Sequence, residues 1–215
     1  MKGKNIPAII FAVYMLSGFS CGDLAAQSSF NKTSDLVWDY IERHKNEKPP
    51  KKTQERLEEF EPLIRYFSKL SFTRPGINVS SNFLRALISA ESAANPYAVS
   101  DKNAIGLTQI TVETGRIAAK ELYKRGYDFK YVDEQKLQNL QASDLFDPAI
   151  NLLICVYLLD KYNMNYGSNL MLTISAWNAG PGAIKRYRGY PPYEETMTLI
   201  ARVNSYYKYY QRYHF

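Results

Sequence analysis

Apolar residues recur at helical spacing along most of this chain. Leu57, Phe60, Leu63, Ile64 and Phe67 follow one another at intervals of three and four. That interval puts side chains on one face of a helix and predicts a helix within residues 53–70. Leu84, Leu87, Ile88 and Glu91 repeat it and predict a helix over 82–93, ended by Asn95-Pro96. Further helices are expected at 35–44, about 111–125, 148–162, 169–177 and 194–210. The helix from 148 has its own start signal, an Asp147 N-cap with Pro148 in the first turn. Its run from Ile150 to Leu159 is almost wholly apolar. Gly180-Pro181-Gly182 reads as the stop of the helix before it. Residues 95–105 and Gly126 to Asp144 are polar and predict no regular element, and Pro49-Pro50 among charges reads as a linker. No repeat and no sustained alternation is present. The fold class is therefore mainly α, or α+β through a minor hairpin, in a single helical domain.

The first residues follow a different pattern. Lys2 and Lys4 precede the apolar run Ile6 to Leu16, and the small residues Ser17, Gly18 and Ser20 lead to Cys21. This is the order of a secretory signal peptide over 1–20, and the run is short for a permanent span. Cys21 stands where an exported bacterial lipoprotein is cut and acylated, although Gly18 occupies the place where such sequences usually carry Leu. The expectation is export to the periplasm, with outer-membrane attachment through lipidation of Cys21. The alternative is an ordinary cleavage there or nearer Ala26. Residues 21–52 then read as tether and linker, 53–76 as an N-terminal helical extension, and 77–215 as the main domain.

Composition narrows the function classes. The 215 residues are enough for one buried domain, and the formal charge of +6 suits contact with anionic polymers or membranes. Nucleic acid is not expected as a partner, because no aromatic-basic motif, finger spacing or basic helix with heptads is present. Cys155 lies in an apolar run and reads as a small buried hydrophobe. With that single cysteine in the body of the chain and the histidines far apart, at His44 and His214, no metal site is expected. The 18 tyrosines offer flat apolar faces with polar tips, as sugar binding requires.

Glu91 lies on the apolar stripe of its helix. A carboxyl in that position is paired, neutral or at the wall of a cleft, and desolvation would make it a proton donor near neutral pH. A helix-end glutamate turned to solvent is the plain alternative. The surrounding stretches sharpen the choice: Glu91-Ser92, Gly106-Leu107-Thr108-Gln109, Asp147-Pro148 with Asn151, Ala176-Trp177-Asn178-Ala179-Gly180, and Glu195-Thr196 after Pro191-Pro192. In this order and spacing the sequence resembles the family 1 lytic transglycosylases of the soluble type, glycoside hydrolase family 23, over about residues 77–210. Thr108 stands where that family has Met, and Trp177 where it has Tyr. Met197 and Leu199 stand where it has Arg and Tyr, and that Tyr helps position the family's acid. Tyr206 is a candidate to replace it.

The resemblance implies a lysozyme-like fold with a substrate cleft and no cofactor. It also implies peptidoglycan glycan strands as substrate. Glu91 would be the catalytic acid, protonating the bond from N-acetylmuramic acid to N-acetylglucosamine. As the anion it would then take the C6 hydroxyl proton, leaving a 1,6-anhydro end with no water consumed. Ser92, Ser100, Gln109, Trp177, Asn178 and Tyr187 would hold the sugars. Two readings stand beside it: a hydrolytic muramidase on the same scaffold, and a weakly active wall-binding protein of an envelope assembly complex, motivated by Leu199.

Overall fold

The computed structural model describes residues 21–213, with side chains from residue 33. The expected leader lies outside the described residues, as does the side chain of Cys21. Among the described residues the chain is helical apart from one small hairpin, in keeping with the mainly α expectation. No helix among them is long and apolar enough to cross a membrane.

Within the segment 21–52, read as tether and linker, the helix expected over 35–44 is present and extends further back: α1 runs from Cys21 to His44. The reason lies in Val37 and Ile41, four residues apart and both buried, which seat α1 on the last helix, α9 (Glu194–Arg212). Helix α2 (Lys51–Phe67) buries Leu57, Phe60, Ile64 and Phe67 against α3 (Ser81–Ser92) and α6 (Pro148–Asn165). These residues share one core cluster with those of the main domain.

At the centre is α6. Every residue from Ala149 to Asp160 is buried, which is why its sequence shows no polar face. Asp147 caps it by accepting from the Ala149 N–H at 2.9 Å, with Pro148 in the first turn as expected. At its far end buried Asp160 accepts three bonds, from the Phe72 and Thr73 N–H groups and the Thr73 hydroxyl, at 2.6, 2.9 and 2.8 Å. They pin the crossing between α2 and α3. Glu61 of α2 pairs with buried Arg85 of α3, one of its bonds being 3.0 Å long.

The two stretches predicted to be irregular carry short elements. Ala104–Ile105 (β1) and Ile110–Thr111 (β2) form an antiparallel hairpin, and Thr111 caps α4 (Val112–Tyr123). Within 126–144, buried Phe129, Val132, Leu137 and Leu140 hold a short helix α5 (Glu134–Gln138), and a 3-10 turn follows over Ala142–Phe146. The apolar anchors there are too widely spaced to show a period. Pro181, read as part of a stop, also starts a helix. Helix α7 (Leu170–Ala179) ends at Gly180, whose φ of 80° suits glycine, and Pro181 is the first residue of α8 (Pro181–Tyr187).

Candidate active site

Helix α3 carries Glu91 one residue before its end. The chain then reverses through two alanines, Ala93 at φ 51° and Ala94 at φ 58°. Left-handed backbone is costly for residues with a Cβ, so the reversal must be held from outside. Ser92 holds it: its hydroxyl donates to the Leu107 carbonyl at 2.7 Å and accepts from the Asn95 N–H at 3.2 Å. Arg56 of α2 donates to the Ala93 carbonyl at 3.4 Å. Ser92 was expected on a sugar; in the structure its hydroxyl joins the end of α3 to the tip of the hairpin.

That tip, Gly106 to Gln109, is clamped from below by Asn151 of α6. The Asn151 amide donates to the Ile105 and Leu145 carbonyls at 3.0 and 2.9 Å, and its oxygen accepts from the Thr108 N–H and hydroxyl at 3.0 and 2.6 Å. Asn151 is fully buried, and all four bonds lie out of water. Gly106, at φ 83°, passes so close that a Cβ would sit 2.4 Å from both the Asn151 amide nitrogen and the Leu145 carbonyl. Thr108, in place of the family's Met, is thus the residue that accommodates this buried polar clamp. Cys155, one turn further along α6, is buried, and desolvation pushes its thiol far up.

Gln109 and Ser100 belong to the same framework. Gln109 donates from its side-chain nitrogen to the Gly106 and Ala98 carbonyls at 3.0 and 3.3 Å. Ser100 accepts from the Ala104 N–H at 3.0 Å. Tyr187 packs edge-on against Tyr193, ring centres 5.5 Å apart. None of Ser92, Ser100, Gln109 or Tyr187 lines the cleft into which Glu91 opens.

This cleft, about 550 Å³, lies between α3, α7 and α9, with Glu91, Asn178, Glu194, Glu195, Leu199 and Arg202 on its walls. Trp177 enters from α7 and donates its indole N–H to Glu91 Oε1 at 2.8 Å. Desolvation dominates the acidity of Glu91 and raises it; the Trp177 hydrogen bond pulls it down, and the Glu195 charge pushes it up again. The result is about 7. Of the sugar-binding residues expected from sequence, Trp177 and Asn178 are thus brought to Glu91 or its cleft. Trp177 does so through an edge contact and not simply as an aromatic wall.

Two charged cleft residues, Glu195 and Arg202, escaped the sequence reading as candidates. Glu195 pairs with Lys102, which reaches it from the loop before β1. That contact chiefly holds the Glu195 carboxyl below its ordinary value, and an Asn178 hydrogen bond adds to it. Asn178 is fixed in turn by the buried Thr196 hydroxyl, which donates to its side-chain oxygen at 2.6 Å. Arg202 lies two turns along α9 from Glu195 and contacts Glu47 at 3.4 Å, so the linker before α2 reaches the cleft. The signal for Glu195 was available in its first-turn position on α9. The Lys102 and Glu47 contacts join residues far apart in sequence and left none. Leu199 forms apolar cleft wall where the family has Tyr, and Tyr206 is not among the lining residues. The aromatic donor on the carboxyl comes from Trp177 instead.

Comparison with known proteins agrees with this architecture. A family model described as the transglycosylase SLT domain matches residues 75–200. The chain is 33% identical over 157 residues to membrane-bound lytic murein transglycosylase C of Glaesserella parasuis, covering 70% of this chain and 37% of that protein. It is 27% identical over 173 residues to the soluble lytic murein transglycosylase of Escherichia coli K12, covering 74% of this chain and 25% of that protein. The chain therefore spans well under half the length of these relatives. In fold it is similar to the crystal structure of the 70 kDa soluble lytic transglycosylase of Escherichia coli. The TM-score is 0.59 at 23% identity, over 87% of this chain and 29% of that one.

Proposed function

The chain belongs to the transglycosylase SLT domain family, and from that premise we propose that it cleaves peptidoglycan glycan strands between N-acetylmuramic acid and N-acetylglucosamine without consuming water. The observation that carries this reading is a carboxyl group buried at the wall of an open cleft and held near pKa 7. Such a group holds its proton about half the time at neutral pH, where an ordinary carboxyl holds almost none, and gives it up with little penalty. Glu91 donates to the glycosidic oxygen; the anion left behind then accepts the C6 hydroxyl proton of the muramoyl residue as that oxygen closes on the anomeric carbon. Asn178, fixed by Thr196, presents its amide to polar groups of the sugar.

A specific observation favours a second reading. Glu195 is a further carboxylate in the same cleft, kept ionised by Lys102. An acid facing an ionised base is also the equipment of a hydrolytic glycosidase, with Glu195 activating water. Digestion of purified peptidoglycan followed by mass spectrometry separates the two. The non-hydrolytic product is lighter by one water, whereas reducing ends establish the muramidase. No digestion at all, with the protein folded, leaves the wall-binding assembly role.

The leader and Cys21 support export and attachment of the N-terminus to a membrane by acylation. Expression with labelled palmitate is expected to label the protein, and Cys21→Ser to release it from the membrane fraction. Label retained in Cys21→Ser would place the lipid elsewhere.

A further inference from the structure

The indole contact on Glu91 does more than place the side chain. A tryptophan N–H can donate and cannot accept. Because Trp177 donates to Oε1 at 2.8 Å, Oε1 must act as an acceptor whether the carboxyl is neutral or charged. In the neutral acid the carbonyl oxygen is the stronger acceptor, so this contact favours the tautomer with the proton on Oε2. Among the described residues no buried side-chain oxygen lacks a hydrogen-bond partner. Oε2 makes no hydrogen bond among the described residues, so it is the oxygen open to the cleft. We propose that Trp177 is a positioning residue that confines the transferable proton of Glu91 to Oε2, so that one oxygen both gives the first proton and receives the second.

The substitution of Trp for the family's Tyr acquires a meaning here. A phenol at this position could donate or accept, and when accepting it would draw the proton to the buried side of the carboxyl. The indole removes that option. It also stabilises the anion in the interval between the two transfers, since a hydrogen bond to an ionised carboxylate is stronger than one to the neutral acid. Leu199 contributes no competing hydroxyl to the cleft wall. The side chain is anchored for the task. Trp177 is partly buried against the hydrophobic core on α7, three residues before the turn at Gly180.

The inference rests on Glu91 being the acid of the proposed reaction, but its physical content can be measured without turnover. Carbon-13-labelled glutamate, assigned by loss of one signal in Glu91→Gln, reports the Glu91 titration directly by NMR. The decisive variant replaces the Trp177 indole N–H by sulfur, using 3-benzothienylalanine placed site-specifically. It keeps ring size and shape, so the fold is retained. Trp177→Phe provides the simpler companion. In both, the Glu91 titration is expected to move up by about one pH unit, the amount that loss of a charge-assisted bond gives. On peptidoglycan, kcat is expected to fall about tenfold with KM within twofold, and the alkaline limb of the rate profile to follow the titration. An unchanged titration in the sulfur variant overturns the proposal. A raised KM with unchanged kcat does so too, leaving Trp177 as a stacking wall. If wild type shows the titration but no cleavage, the proposed activity fails while the hydrogen-bond assignment stands.

Discussion

Removal from water acts on both Glu91 and Glu121, deeply on the first and only in part on the second, and the two end on opposite sides of the ordinary carboxyl range. For both, removal from water is the largest influence and favours the neutral acid. Glu121, between α4 and α6, accepts from the Lys161 ammonium at 2.8 Å and from the Tyr157 hydroxyl at 2.6 Å. Those contacts outweigh desolvation and lower its pKa. Glu91 has one neutral donor, Trp177, and faces an anion, Glu195, so it rises to about 7. The contrast teaches that partners act together with the depth of burial in setting where a carboxyl titrates. Glu121 is shallow and paired with a cation, whereas Glu91 is deep and faces an open cleft with no cation bonded to it among the described residues.

The largest effect should come from removing the group that titrates. Glu91→Gln is expected to lower cleavage by roughly 10²–10⁴-fold, the usual contribution of a positioned general acid. The same variant has a stability signature whose sign follows from the raised pKa. Between the ordinary carboxyl value of 4.5 and about 7, the folded chain holds a proton that the unfolded chain has released, so this stabilisation is full at low pH and is lost as pH rises through 7. Wild type should therefore be destabilised relative to Glu91→Gln by up to about 3 kcal/mol at pH 8 and by nothing comparable at pH 4. Melting temperatures at the two pH values test this; a difference independent of pH would mean that Glu91 is not held neutral.

Next in size is the framework under the cleft. Asn151→Ala would strand the Thr108 N–H and the Ile105 and Leu145 carbonyls in the interior, at a cost on the order of 3 kcal/mol or more. Because Ser92 joins the hairpin tip to the end of α3, activity should fall with stability. Denaturant unfolding checks the first effect. An Asn151→Ala protein as stable as wild type would show that the clamp is not holding the tip.

These two sites also show what could be read from the sequence. The helix around Glu91 and its position on the apolar stripe followed from Leu84, Leu87 and Ile88 at fixed intervals, because a helix face is local information. So did the start of α6 at Asp147-Pro148. Cleft geometry is not local. Lys102 and Glu195 are 93 residues apart, and Glu47 and Arg202 are 155 apart. Ser92, Ser100 and Gln109 were legible as important positions, but their hydroxyls and amide turned out to serve backbone groups of the hairpin, a use that only the folded path reveals. Of α1 the stretch 35–44 was legible as a helix, whereas its extension back to Cys21 and the docking of Val37 and Ile41 on α9, more than 150 residues away, were not.

The contrast between the two glutamates can be sharpened from the paired side. Glu121→Gln removes an ion pair whose members are each 38% exposed, so solvent screening limits the loss to under about 1 kcal/mol. The depressed pKa fixes the sign: the stabilisation is present above the unfolded carboxyl value and fades as pH falls through the folded one. Cleavage should be unchanged. A large loss of activity in Glu121→Gln would undo the separation of structural from chemical carboxyls.

The smallest expected effect is the most discriminating, because it acts on Glu91 only through charge. Glu195→Gln removes the anion that raises Glu91, so the alkaline limb of the rate profile should move to lower pH by about half a unit, the scale of a screened interaction between nearby groups. Lys102→Met should move the limb the other way by a similar or smaller amount, since it uncovers the Glu195 charge. Opposite displacements from two neighbouring substitutions are difficult to obtain from structural disturbance, which would lower activity in both without ordering their pH limbs. A hydrolytic cleft predicts something different: Glu195→Gln would lose its base, and activity would collapse at every pH rather than shift. The two profiles therefore test how Glu91 is tuned and also whether Glu195 takes part in the chemistry or only sets the field in which it occurs.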